Sequence, residues 1–182
     1  MEHRGREPTL ALIDRLVIPK PALVLLVGPS GSGKSTFARA HFTDTEVVSS
    51  DALRAMVADN AADQDASAEA FKLLALIANG RLRRRLTTVI DATNLRAVNR
   101  RQLRQVASRY GIPTVAIAFD LPVEVYMERN QRRPDRVVDP EVVADQAERM
   151  TEAVTDLADE SYAALYVLQD ADVLNSLTVE RG

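Results

Sequence analysis

Gly28, Gly33, Lys34 and Ser35 stand at the spacing G-x-x-x-x-G-K-[ST], within the stretch GPSGSGKST. That spacing suits a nucleoside triphosphate. Glycines at 28, 31 and 33 let the chain wrap around an anion with positive φ. The N–H groups of Ser30, Ser32 and their neighbours then converge into an anion nest. A helical sequence follows from Lys34, so its first free amides, at Ser35 and Thr36, and the positive end of its dipole fall at the same point. Lys34 brings a full charge toward the β- and γ-phosphates, and the Ser35 hydroxyl can ligate Mg²⁺. The alternative is a Gly-Ser turn with a surface lysine. The apolar run Leu23–Val27 before the loop and the helix after it argue against that.

Three further groups could join such a centre. Asp51 closes a short apolar segment and opens a helix. A carboxylate there can face the γ-phosphate and accept the proton of an attacking hydroxyl. Its plain alternative is a first-turn acid serving the helix dipole. The segment RNQRRPDR, 129–136, carries four arginines against one aspartate. Arg129, Arg133 and Arg136 could clamp a terminal phosphate during transfer, with Pro134 breaking the helix as a closing flap requires. The alternative is a salt-bridged surface turn, and Arg132 reads as surface. Asp91, in DATN, either holds a Mg²⁺-bound water or caps its own loop.

The elements that must position these groups follow from periodicity. Leu23–Val27 is continuously apolar, as a buried strand of a parallel sheet is. Further strands are expected at 45–49, 88–90, 113–119 and 164–168. Helices are expected from 34 to 41, 51 to 58, about 67 to 85, 97 to 110 and 122 to 131. Another, capped by Asp139 and Pro140, should run to about 153 with a helical continuation to 160, and a short helix should follow Asp170. In the long third helix, Phe71, Leu74, Ala78 and Leu82 mark the buried face. Residues 1–9 read as loose and Leu10–Leu16 as a short amphipathic turn. The alternation predicts an α/β fold of three layers, with a five-stranded parallel sheet between helices. Residues 1–17 form an N-terminal extension and 18–182 one domain, with a lid at about 129–139. Ligands bind beyond the carboxyl ends of such strands. That edge gathers the phosphate loop, Ser49–Asp51, Asp91–Asn94 and Asp120, and Gln169–Asp172 could wall a base. Arg81, Arg83, Arg84 and Arg85 fall at the opposite edge and read as a solvated helix end.

Composition bounds the partners. The chain has 182 residues, 46% of them hydrophobic, and no cysteine. Disulfides and thiolate metal sites are therefore excluded. The first residues lack the apolar core of a signal peptide, and no apolar stretch nears the ~18 residues that span a membrane, so a cytoplasmic protein is expected. A net charge of −3 and 4% aromatics argue against an extended basic groove tracking a long nucleic acid. They leave room for a few arginines gripping one strand end.

GPSGSGKSTFA, VSSDALR, VIDATN and FDLPVEVYMERNQRRPDR, in that order, resemble the 5′-hydroxyl polynucleotide kinase domain of bacterial RNA-repair proteins over about residues 18–180. The resemblance implies transfer of the γ-phosphate of ATP or another NTP, with Mg²⁺, to the 5′-OH end of RNA or DNA, alongside repair-complex proteins. It makes Asp51 the general base and Lys34 and Ser35 the phosphate and metal residues. Arg129, Arg133 and Arg136 become lid arginines. Arg54, which reads as a surface residue from its own surroundings, becomes a contact to the phosphate next to the acceptor nucleoside. Two other classes fit the same loop. One is a kinase of a nucleoside, sugar or antibiotic, and the other is an NTP-binding interaction module without phosphotransfer.

Overall fold

The computed structural model describes residues 15–132 and 137–182. Strand β1 (Arg15–Ile18) leads into β2 (Leu23–Val27), whose five residues are all buried. β2 lies at the centre of a parallel sheet. It pairs on one side with β4 (Thr88–Asp91) and on the other with β5 (Thr114–Phe119). β3 (Val47–Ser49) extends the sheet beyond β4, and β6 (Ala164–Leu168) beyond β5. The order is β3-β4-β2-β5-β6. A strand flanked on both sides and covered on both faces has no place for a polar side chain, which is why its sequence is apolar without alternation.

The two faces are built from alternate residues. Leu23, Leu25 and Val27 pack with α2 (Ser50–Ala58), α3 (Ser67–Arg83), α4 (Ala97–Arg109) and α6 (Pro140–Asp159). Val24 and Leu26 pack with α1 (Lys34–His41) and the β1 region. On α3 the buried positions are Ala70, Leu74, Ala78 and Leu82, while Phe71 is half-buried. α6 is one helix of 20 residues rather than a helix with a continuation. Asp139 Oδ1 accepts the Glu141 N–H at 2.9 Å and Pro140 occupies the first turn, as expected. α5 (Val123–Gln131) and the short α7 (Val173–Ser176) complete the set. Among the described residues no helix is long and apolar enough to cross a membrane.

A second, two-stranded parallel sheet pairs β1 with β7 (Thr178–Arg181). Arg15 and Leu16 are therefore strand rather than the end of a helical turn. Leu16 and Ile18 are fully buried while Arg15 and Val17 are exposed, the period of a half-covered strand. The Arg15–Glu180 ion pair ties the two strands, and Arg181 pairs with Glu46 before β3. Residues 1–9 and the rest of the expected turn, 10–14, lie outside the described residues.

One buried cation joins the sheet edge to the helix layer. The Arg100 side chain is 0% exposed. Its Nη1 donates to the carbonyls of Asn94 at 2.9 Å and Leu95 at 2.7 Å, and its Nε and Nη2 donate to the Glu160 carboxylate. Tyr162 Oη donates to the same carboxylate. Burial pushes the Glu160 carboxyl up, but the bonds and charges of Arg100, Tyr162 and Arg104 outweigh it and hold the group below its ordinary value of 4.5.

Arg100→Met should therefore cost about 3 kcal/mol in urea unfolding, because it leaves the largely buried Glu160 carboxylate with only Tyr162 and Arg104 and takes the donor from the carbonyls of Asn94 and Leu95. Glu160→Gln should cost stability at neutral pH. A depressed folded pKa gives stability that is complete above the unfolded value and lost as the pH falls through the folded one. The gap between Glu160→Gln and wild type should thus close in acid, and a pH-independent gap would contradict this ion pair.

Candidate active site

The phosphate loop leaves the carboxyl end of β2 and enters α1 with Gly33 as its N-cap residue. Gly31 (φ +83°) and Gly33 (φ +99°) take the left-handed backbone that turns the chain around a central point. At Gly31 the need is steric as well. A Cβ would stand 2.5 Å from the carbonyl oxygen of Tyr126, at the start of α5. Tyr126 is in turn fixed by its hydroxyl, which accepts the Leu121 N–H at 2.6 Å and donates to the Phe119 carbonyl at 2.8 Å. Burial raises its pKa far above a free phenol's. One turn on from Tyr126, Arg129 Nη1 reaches the Ser32 carbonyl at 3.5 Å. Arg129 thus lies over the loop.

Lys34 is buried, with Nζ donating to the Pro29 carbonyl at 2.6 Å and to Ser32 Oγ at 3.1 Å. Gly28 N–H donates to the Thr93 carbonyl at 2.9 Å, which pins the loop to the DATN turn. Asn94 sits at φ +50° and donates to the Leu26 carbonyl at 2.7 Å, bracing the same turn against β2. Asp91, the last residue of β4, is 7% exposed. Burial pushes its carboxyl above the ordinary range, Lys34 and the Ser35 hydroxyl pull it back, and the nearby Asp51 adds to the rise. Among the described residues no cluster of three or more His, Cys, Asp or Glu could hold a metal alone. Mg²⁺ in phosphate sites is held by one or two carboxylates together with the phosphates. Ser35 and Asp91, adjacent and beside the cradle, fit that donor set.

Asp51 lies in the first turn of α2, where Ser49 Oγ caps the helix by accepting from Ala52 N–H. It forms an ion pair with Arg54. Arg54 also donates from Nε to the Ala61 carbonyl at 2.9 Å and is buried. The reading of Arg54 as a surface residue is therefore corrected. The helix turn that places it at i+3 from Asp51 also folds it under the α2–α3 connection.

Two cavities meet at these residues. One, of about 760 Å³, is lined by Gly31, Gly33, Lys34, Ser35, Asp91 and Arg129, with Leu174 of α7 among the apolar residues. The other, of about 710 Å³, lies toward α3, α4 and α6 and is lined by Arg54, Asp65, Arg96, Asn99, Gln146 and Arg149. Ser30, Ser50, Asp51, Ala92 and Thr93 line both. Asp120 is at the same sheet edge but is held by Gln169 Nε2 at 2.9 Å, and neither lines these two cavities. The base wall expected at Gln169–Asp172 is likewise not part of the lining. Arg133 and Arg136 lie outside the described residues.

Two contributors were missed from the sequence. Gln146 of α6 accepts the Ser30 N–H on Oε1 at 2.7 Å, across 116 residues. Asn130 grips Val138 through both its carboxamide atoms, at 2.7 and 3.0 Å, closing the base of the arginine-rich segment. Only Asn130 could have been found. It stands four residues after Tyr126 on the buried face of α5, where a polar side chain needs a partner.

Residues 23–157 match the model of a family described as an AAA domain (AAA_33). None of the curated proteins matches the chain. Among solved structures, a chain of the Pnkp1/Rnl/Hen1 RNA repair complex superposes with a TM-score of 0.64 at 25% identity, covering 76% of this chain and 47% of that one. The present chain thus spans about half the length of that relative. A gluconokinase from Sinorhizobium meliloti gives a TM-score of 0.55 at 20% identity, covering 87% and 90% of the two chains. A sugar kinase from a Janibacter species gives 0.56 at 22%, covering 82% and 85%. The fold is that of the P-loop kinases.

Gly31→Ala combines an unfavourable φ with a clash against backbone that cannot swing aside. It should weaken binding of a non-hydrolysable ATP analogue by roughly 5- to 150-fold in calorimetry, since ~1–3 kcal/mol of strain falls on the loop itself. Unchanged affinity would contradict the close approach of α5.

Proposed function

The chain belongs to this family of AAA domains, and from that premise we propose that it is a kinase that transfers the γ-phosphate of ATP or another NTP to the 5′-hydroxyl end of RNA or DNA. The observation that carries the reading is the shared wall of the two cavities. Asp51 stands where a nucleotide on the glycine cradle and an acceptor in the second cavity would meet. The likeness to a chain of an RNA repair complex and the ordered motifs of the sequence support the choice of acceptor.

In this reading the loop amides and Lys34 hold the β- and γ-phosphates, and Arg129 neutralises charge that builds on the transferred group. Ser35 and Asp91 would hold Mg²⁺ together with the phosphates, and the ion would supply further positive charge. The acceptor oxygen forms a bond to the γ-phosphorus as the bond to the β-phosphate oxygen breaks. Its proton passes to the Asp51 carboxylate and ADP leaves. Arg54 orients that carboxylate through their ion pair and faces the phosphate on the 3′ side of the terminal nucleoside. In this reading the domain takes in β1, so residues 15–17 join it rather than the N-terminal extension, and it runs over the described residues to 182. Its lid, 129–139, is rooted in Asn130 and contributes Arg129 from the described residues.

A second reading is favoured by the lining of the acceptor cavity. Asp65, Asp145 and Gln146 can all accept hydrogen bonds from the hydroxyls of a sugar or nucleoside, and about 710 Å³ is the size of a small-molecule site.

Labelled ATP should phosphorylate 5′-OH oligonucleotides, and Lys34→Ala should abolish this. Asp51→Asn should cost on the order of 10²–10⁴ in rate; full activity in that variant would reject its role. Arg54→Ala should impair oligonucleotide acceptors far more than a bare nucleoside. Should a nucleoside or sugar outcompete every oligonucleotide, the second reading replaces the first.

A further inference from the structure

A net charge of −3 hides a strong local imbalance. Residues 70–119 carry ten of the 23 Lys and Arg side chains and one of the 26 carboxylates, Asp91. Arg100 and Arg104 are neutralised by Glu160, and Arg100 also by Asp156. Six others, Arg83, Arg84, Arg85, Arg96, Arg101 and Arg109, are exposed and form no ion pair among the described residues. The fold brings them onto one layer. α3 and α4 pack side by side over the same face of the sheet. Arg85 Nη1 donates to the Tyr110 carbonyl at 3.3 Å, which brings the arginine run at the end of α3 against the end of α4.

Exposed cations occur along the whole length of α4. Arg96 lines the acceptor cavity at the ligand edge. Arg101, Gln105 and Arg109 follow at i, i+4 and i+8, all exposed. The 13 residues of α4 span about 20 Å and end beside Arg83–Arg85. Charges interact over a Debye length of about 10 Å at 0.1 M salt, so a polyanion on this face meets the arginines and not the protein's average charge.

We infer that α4 and the end of α3 form a track for the phosphate backbone of single-stranded nucleic acid leaving the acceptor cavity. The inference rests on the polynucleotide reading above and extends it from the strand end to the strand. With few aromatics the track would grip phosphates rather than stack bases, so it would be indifferent to sequence and steeply salt-dependent.

Arg83→Gln, Arg101→Gln and Arg109→Gln, combined, remove three charges from side chains that donate no hydrogen bond among the described residues. The probe is a 5′-OH RNA of roughly 12 nucleotides with a 3′ fluorophore, titrated by anisotropy from about 50 to 200 mM salt. The triple variant should bind at least about tenfold more weakly at the low end, and its slope of log affinity against log salt should be shallower by about 2. Phosphorylation of a dinucleotide should be unchanged. Equal binding by variant and wild type, or preference of the wild type for a poly-glutamate peptide over the RNA, would overturn the track. If wild type binds the RNA as expected but phosphorylates no dinucleotide, the transfer reading fails and the track stands.

Discussion

A loop that is to receive phosphate must keep amides available, so it cannot be held in place by spending them all. That constraint governs the structure around residues 28–35. Only some amides are spent: Gly28 N–H goes to Thr93, Ser30 N–H to Gln146 and Ser32 N–H to the Pro29 carbonyl, so the Ser30 and Ser32 amides expected in the nest are engaged within the protein. The other supports use loop carbonyls, held by Lys34 and Arg129, and contact, with Gly31 against the Tyr126 carbonyl and no room for a side chain. The fully buried β2 strand behind the loop supplies the rigid base. A nest of donors is strong only if it is already arranged when the anion arrives.

The supports each tie a different part of the chain to the loop. Thr93 and Asn94 belong to the turn after β4, and Arg100 fixes the carbonyls of Asn94 and Leu95 to the end of α6 through Glu160. Gln146 sits on the same helix, so α6 braces the loop at two points. α5 is held by Tyr126 at its start and by Asn130 near its end. Asp51 arrives from outside this frame, on the first turn of α2, and its partner Arg54 anchors it to the α2–α3 connection. The glycine cradle is thus built from the sheet centre, and the wall of the second cavity from the helices around it.

Much of this was legible in the residues. The unbroken apolar run before GPSGSGKS marks a central strand because only a strand covered on both faces tolerates it. Helix limits at Ser49, Asp139 and Gly111 follow from cap chemistry, with Gly111 at φ +62°. The β1–β7 pair was not legible. Its strands have four residues each, and their partners are more than 160 positions apart. Arg54 looked exposed because the loop that buries it is polar and carries no hydrophobic signal. Arg100 and Glu160 are unremarkable charges until the fold places them together. The net charge averages over faces that the fold keeps apart, so it carries no signal of the arginines gathered on α3 and α4.

The central claim is that a carboxylate at the junction of two cavities receives the proton of the acceptor. A crystal structure with a non-hydrolysable ATP analogue and a 5′-OH dinucleotide tests it most directly. The account predicts the terminal oxygen within about 3.2 Å of the Asp51 carboxylate, in line with the γ-phosphate above the loop. A dinucleotide bound with that oxygen away from Asp51, or on the far side of the sheet from the glycine cradle, would contradict it.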